Sequence, residues 1–159
     1  MITLDTAIGM FMGLAIGDAL GAPLEFTKSR EPEDYITKYA SGGAHGVAVG
    51  EWTDDTSMAL ALAKSLIENK GEFNPNSVMD NFCEWYLNGK YSPREKCFDI
   101  GHTTQKALNR YLKNKEVPYQ GTGDDEESGN GGLMRLAPVV MVSATPERAM
   151  ELAVAQSIL

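Results

Sequence analysis

Apolar residues recur at helical spacing through most of the chain, and no stretch of useful length alternates apolar with polar positions. Thr6 to Leu20 reads as a first helix dense in small residues, with Gly9, Gly13, Gly17 and Gly21 every fourth position leaving a groove free of Cβ atoms. Glycine costs a helix about 1 kcal/mol relative to alanine, so this row predicts close approach of another backbone or a ligand. The second helix, Asp54 to Asn69, sets Met58, Leu62 and Leu66 on one row and Leu60, Ala63 and Ile67 on another, with Gly71 beyond its end. Apolar on most sides, it is expected to be central and buried. A third starts with Asn74 as cap, Pro75 at its first position and Phe73 placed to pack on Val78; Val78, Phe82 and Trp85 form its inner face. After a turn around Asn88 to Pro93, a fourth turns Ala107, Leu108, Tyr111 and Leu112 inward. Thr145-Pro146-Glu147 opens a last amphipathic helix, with Ala149, Leu152, Ala153 and Ile158 periodic. The pattern predicts one all-α domain over residues 1–159.

The segments between these helices differ in kind. Residues Thr37 to Gly50 hold Gly42, Gly43, Gly46 and Gly50, which predicts a mobile or tightly turned loop with His45 on its surface. Val117 to Glu127 is polar and acidic, as in a long exposed loop. Asp124, Glu126 and Ser128 have the spacing of a calcium loop, but the twelfth position is Arg135 where a bidentate glutamate is needed, and no helix pair flanks it. Ser128-Gly129-Asn130-Gly131-Gly132 then leads into Leu133-Met134-Arg135. Such glycines let backbone N–H groups approach an anion, although a flexible turn has the same composition. The last helix reaches Leu159 without glycine, asparagine or a basic final turn, which predicts a continuation and an apolar surface left open to a partner.

Composition narrows the classes. The 159 residues suffice for a hydrophobic core, and 43% hydrophobic with 23% charged residues is ordinary for a globular protein. With 22 acidic against 14 basic residues, net −8, and no cluster of Lys or Arg, binding to a nucleic-acid backbone is not expected. One diphosphate remains within reach of a few backbone amides and a metal. Cys83 and Cys97 have neither Cys-x-x-Cys nor zinc-ligand spacing, so both are expected as reduced thiols. The N-terminus lacks a basic secretory start, and the uncharged run between Asp5 and Asp18 is too short to span a bilayer. The cytoplasm is the expected location, with no membrane partner.

The most informative residues are Thr53-Asp54-Asp55-Thr56, two adjacent carboxylates flanked by hydroxyls at the start of the greasy second helix. Two carboxylates about 4 Å apart repel by roughly 4 kcal/mol at a surface-like dielectric. A hard divalent cation offsets that repulsion, and Thr53, Asp54 and Asp55 offer it three oxygen side chains on consecutive residues. The same residues also fit a helix N-cap, with Thr53 or Asp54 capping and Asp55 set against the helix dipole. Asp99 likewise stands just before a helix start and reads as a site acid or a capping aspartate. Asp18 and Glu25 bracket a Gly-Ala-Pro turn, with Glu25 on the rim.

Gly17-Asp18-Ala19-Leu20-Gly21 with Glu25, Trp52-Thr53-Asp54-Asp55-Thr56, Asp99-Ile100-Gly101-His102-Thr103-Thr104, and Gly129-Asn130-Gly131 to Met134-Arg135 together resemble the ADP-ribosylglycohydrolase family, in order and over nearly all of the chain. The resemblance implies a compact, orthogonally packed all-helical domain with a binuclear Mg2+ or Mn2+ centre. The implied reaction hydrolyses the glycosidic bond between ADP-ribose and a modified protein side chain or related acceptor. By the same resemblance Thr53, Asp54 and Asp55 are metal ligands, Asp99 and Glu25 catalytic acids near the metals, and Ser128, Gly129, Asn130, Gly131, Gly132 and Met134 the lining of the diphosphate and ribose pocket. Implied partners are an ADP-ribosylated protein or an ADP-ribose-containing small molecule. Cleavage at the anomeric carbon develops oxocarbenium character, so such a site must orient the sugar, stabilise charge and deliver water. The family pattern continues with a Thr-His segment and an Asp-x-Asp-Thr motif that do not occur in this sequence. That departure implies a truncated domain holding half of the metal ligands, and a complementing C-terminal segment as partner. It also sustains the alternative of an inactive relative that binds ADP-ribose, a nucleotide or another protein without turnover.

Overall fold

The structure is a computed structural model and describes residues 2–117 and 129–159. It is all-α: helices α1 (Leu4–Gly21), α2 (Asp54–Glu68), α3 (Pro75–Asn88), α4 (His102–Asn114), the single turn α5 (Gly131–Met134), α6 (Ala137–Val142) and α7 (Pro146–Ser157). Short 3-10 turns occupy Ala22–Leu24 and Pro32–Asp34, and no strand occurs among the described residues.

The core forms around α2, which packs against α1, α3, α5 and α6. Met58, Leu62 and Leu66 on α2 meet Val78, Phe82 and Trp85 of α3, Leu108 of α4, Val139 of α6 and Leu152 of α7 in one buried cluster. The first of the two apolar rows is therefore fully buried, as expected. The second row does so only in part, since Leu60 and Ala63 are half-buried and Ile67 is 73% exposed. Local caps hold elsewhere as the sequence predicts. Asn74 accepts from the Ser77 N–H at the start of α3, Thr145 does the same for Arg148 in α7, and Phe73 packs against the core cluster. Gly89 ends α3 at φ +69°, and a Cβ there would collide with the backbone of Glu95 and Lys96. After this tight reversal the Tyr91 carbonyl accepts from the Trp52 indole N–H, just before α2, at 3.1 Å.

Two expectations for the first helix do not hold as stated. No other backbone approaches the glycine row of α1 among the described residues: a Cβ on Gly9, Gly13, Gly17 or Gly21 would have open space around it, and Gly17 and Gly21 instead line an open groove. The apolar row of the same helix, Leu4, Ile8, Met12 and Ile16, is 47–77% exposed. By length and composition alone Leu4–Leu24 is apolar enough to cross a membrane, because the helix runs on past Asp18 to Gly21. Helix α7 closes at Ser157, with Ile158 in its C-cap position and Leu159 buried in the core cluster.

Candidate functional site

Helix α2 delivers Thr53, Asp54 and Asp55 from the end of the most buried element of the fold, where side-chain positions are best fixed. Thr53 occupies the N-cap position, yet its side chain makes no capping bond. Asp18, near the end of α1, provides the cap. Its Oδ2 accepts from the backbone N–H groups of Thr53 (3.0 Å) and Thr56 (3.1 Å) and from the Thr56 hydroxyl (2.6 Å), while its Oδ1 accepts from the Thr53 hydroxyl at 2.8 Å.

Around this end lies an open groove lined by Gly17, Asp18, Glu25, Thr53, Asp55 and Asp99. Glu25 reaches it from the turn after α1. Asp99 comes from the loop before α4, where its φ of +53° places it in the left-handed region. It does not cap α4: Gly101 holds the N-cap position, and Asp99 turns into the groove. Beside it is a cavity of about 260 Å³ lined by Asp54, Thr103, Gly129, Asn130, Gly131, Gly132, Met134 and Arg135, among others. Asp55 and Asp54 thus look into neighbouring depressions. Of the residues expected at the site, only Ser128 lies outside the described residues, as do residues 118–127 of the acidic loop and the rejected calcium-loop positions Asp124 and Glu126.

His45 contradicts its expected surface role. Its Nε2 is buried without a hydrogen-bond partner of good geometry, 2.9 Å from Glu25 Oε2 and 3.2 Å from Asp99 Oδ1. The three residues offer ligand atoms within 4.8 Å of one another. Arg94 sets the loop that carries His45: it pairs with Glu51 through two bonds of 2.8 and 2.7 Å, donates to the carbonyls of His45 and Gly46, and stacks on Phe98. This Arg94 contact holds the Glu51 carboxyl below its ordinary range. On the other side, the Arg135 guanidinium is 4% exposed, donates to the side chain and carbonyl of Gln156 on α7, and lies over the Phe82 ring. Gln156 in turn donates to the Gly132 carbonyl, and a Cβ at Gly132 would lie 2.5 Å from the Ser157 Cβ. Close packing on α7 therefore explains that glycine.

The electrostatics are those of anions brought together against their preference. Burial, followed by the charges of Asp99, Asp55 and Asp18, pushes Asp54 up to about 8. Asp55 is raised by burial and then by Asp18 and Asp99, partly offset by a hydrogen bond with Asp54. Asp99 is pushed up to about 6 by burial and Glu25, with His45 opposing. The charges acting on Asp54 are all negative, so this oxygen-rich set fits a hard divalent cation, which would favour ionisation of every one of these groups.

The family profile of ADP-ribosylglycohydrolases matches residues 1–159. The chain belongs to the ADP-ribosylglycohydrolase family, whose members are hydrolases acting on glycosidic bonds. It is 41% identical over 138 residues to ADP-ribosylarginine hydrolase Tri1 of Pseudomonas putida (strain GB-1), covering 87% of this chain and 36% of that protein. It is 34% identical over 144 residues to ADP-ribosyl-[dinitrogen reductase] glycohydrolase of Rhodospirillum rubrum, covering 87% of this chain and 45% of the relative. A solved structure titled ADP-ribosylglycohydrolase-related protein complex superposes with a TM-score of 0.73 at 38% identity, over 96% of this chain and 47% of that one. The chain therefore spans less than half the length of these family members.

Proposed function

We propose that this chain carries the metal-binding and sugar-facing part of a hydrolase that cleaves the bond between ADP-ribose and an arginine side chain of a modified protein. The arginine linkage follows the name of the 41%-identical relative. The observation that carries the reading is the convergence of Glu25, Thr53, Asp55 and Asp99 on one groove, with Asp54 facing the adjoining glycine-lined cavity.

Thr53, Asp54 and Asp55 would hold a Mg2+ or Mn2+ ion, two such ions occupying the complete centre. When bound, the metal supplies Lewis acidity that orients the ribose hydroxyls and eases loss of a proton from water. The protein's part is positional. Asp99, half-buried between Glu25 and His45, accepts the proton of the attacking water, and Glu25 closes the exposed side of the groove. Gly129 to Gly132 and Met134 hold the diphosphate and ribose in the adjoining cavity, with the glycine turn fixed by Gln156.

Release of ADP-ribose from an ADP-ribosylated arginine peptide tests the reading. It is to be measured with Mn2+ on this chain alone and with the C-terminal part of a full-length family member added in trans. The expected result is release in at least one arrangement that is lost in Asp55→Ala. Release unchanged by Asp55→Ala, or none in either arrangement from protein shown to bind Mn2+, would contradict it.

A further inference from the structure

The sequence contains the same four-residue pattern twice at a helix start, Thr3-Leu4-Asp5-Thr6 in α1 and Thr53-Asp54-Asp55-Thr56 in α2, and the two are wired differently. In α1 the Thr3 hydroxyl oxygen accepts from the Thr6 N–H at 3.1 Å and pairs with the Thr6 hydroxyl at 2.8 Å, a local cap that gives a lone pair to the helix N–H. In α2 that work passes to Asp18. The Thr56 N–H and hydroxyl go to Asp18 Oδ2, and the Thr53 N–H is shared by both carboxylate oxygens.

The consequence lies in the Thr53 hydroxyl. It has one hydrogen and two lone pairs, and a carboxylate can only accept. The 2.8 Å contact to Asp18 Oδ1 therefore takes up the hydrogen, while no helix N–H takes a lone pair. We infer that Asp18 is a positioning residue of the cation centre: by relieving Thr53 of capping and accepting its hydroxyl hydrogen, it turns Thr53 Oγ1 into an acceptor-only oxygen beside Asp54 and Asp55, ready to ligate a divalent cation. The inference rests on the proposed metal-dependent reading and deepens it. Without Asp18, Thr53 would fall back to the arrangement of Thr3, with a lone pair turned to the Thr56 N–H. The helix would keep a cap and the centre would lose a ligand.

A double-mutant cycle on Mn2+ affinity tests this, with the free ion followed by electron paramagnetic resonance and folding by circular dichroism. Asp18→Asn and Thr53→Val should each weaken Mn2+ binding about 10–100-fold, the range typical of partners that orient metal ligands. The double variant should be no weaker than the poorer single variant, because Asp18 acts through Thr53. Thr56→Val removes the hydroxyl bond of Thr56 to Asp18 but leaves Thr53 bound to it, and should stay within about threefold of wild type. If Asp18→Asn does not fold, Asp18→Glu, which keeps the charge but misplaces it, takes its position in the cycle. Wild-type affinity in the Asp18 variant beside a weakened Thr53→Val, or losses that multiply in the double variant, would overturn the inference and leave the functional reading standing. A wild-type chain that binds no Mn2+ would overturn both.

Discussion

Helices α1 and α2 are both long, and both start at Thr-x-Asp-Thr, yet they behave as opposites. In α1 Ala19 is the buried residue and the cap is local; α2 buries nine residues and takes its cap from a carboxylate 35–38 positions earlier in the chain. The difference teaches what a site costs. A helix start that satisfies itself, as at Thr3, commits its hydroxyl oxygen to the helix N–H. One satisfied from elsewhere, as at Thr53, can present hydroxyl and carboxylate oxygens to a ligand, but it sets Asp54, Asp55 and Asp99 beside one another with their carboxyls raised.

The largest expected effect tests the burial side of this contrast. Leu62 on α2 is fully buried, so Leu62→Ala should cost about 2–5 kcal/mol in urea unfolding. A cost comparable to an exposed substitution on α1 would place the core elsewhere.

Next in size is the strain of the acidic centre. In the metal-free protein Asp54 holds its proton up to about 8, against an ordinary value of 3.8, so between those values the folded state binds more protons than the unfolded one. Stability must then be fully present below about pH 4 for this group and fall as pH rises through 8. Asp54→Asn removes that slope, and at pH 8 without metal it should be the more stable protein, by on the order of 2 kcal/mol. Excess Mn2+ should reverse the ranking, since the ion displaces the proton and its affinity rises with pH. Thermal melts at pH 5 and 8, with and without the ion, read both signs.

The smallest effect belongs to the other helix start. Thr3→Ala should cost about 1 kcal/mol or less, as loss of a local cap does, and leave Mn2+ affinity at the wild-type value. A change in affinity would mean that the two starts are not independent.

Much of this was legible in the chain because the signals are local. The periodicity of Met58, Leu62 and Leu66, the Asn74-Pro75 start of α3 and the Thr145-Pro146 start of α7 all specify structure within a few residues, and each occurs where expected. Of the residues expected at the site, those described line one groove and the cavity beside it. What was not legible depends on contacts between distant segments. Thr53 fits a cap as well as a metal ligand until Asp18 is seen to take its hydrogen. His45 reads as a loop residue until the Arg94–Glu51 pair fixes that loop against Asp99. Its one sequence signal was a histidine among glycines, which a mobile loop would share. The glycine row of α1 misled as to a neighbouring backbone, because helical spacing of small residues says that a surface can be approached and not which group approaches it.

The central claim is that Thr53, Asp54 and Asp55 exist as a group to bind a divalent cation. An anomalous difference map from crystals grown with Mn2+, with the C-terminal part of a family member supplied, tests it most directly. The account predicts a manganese peak directly ligated by Thr53 Oγ1 and the Asp54 and Asp55 carboxylates. A map with no peak there, and with those oxygens turned to backbone N–H groups as Thr3 is, would contradict it.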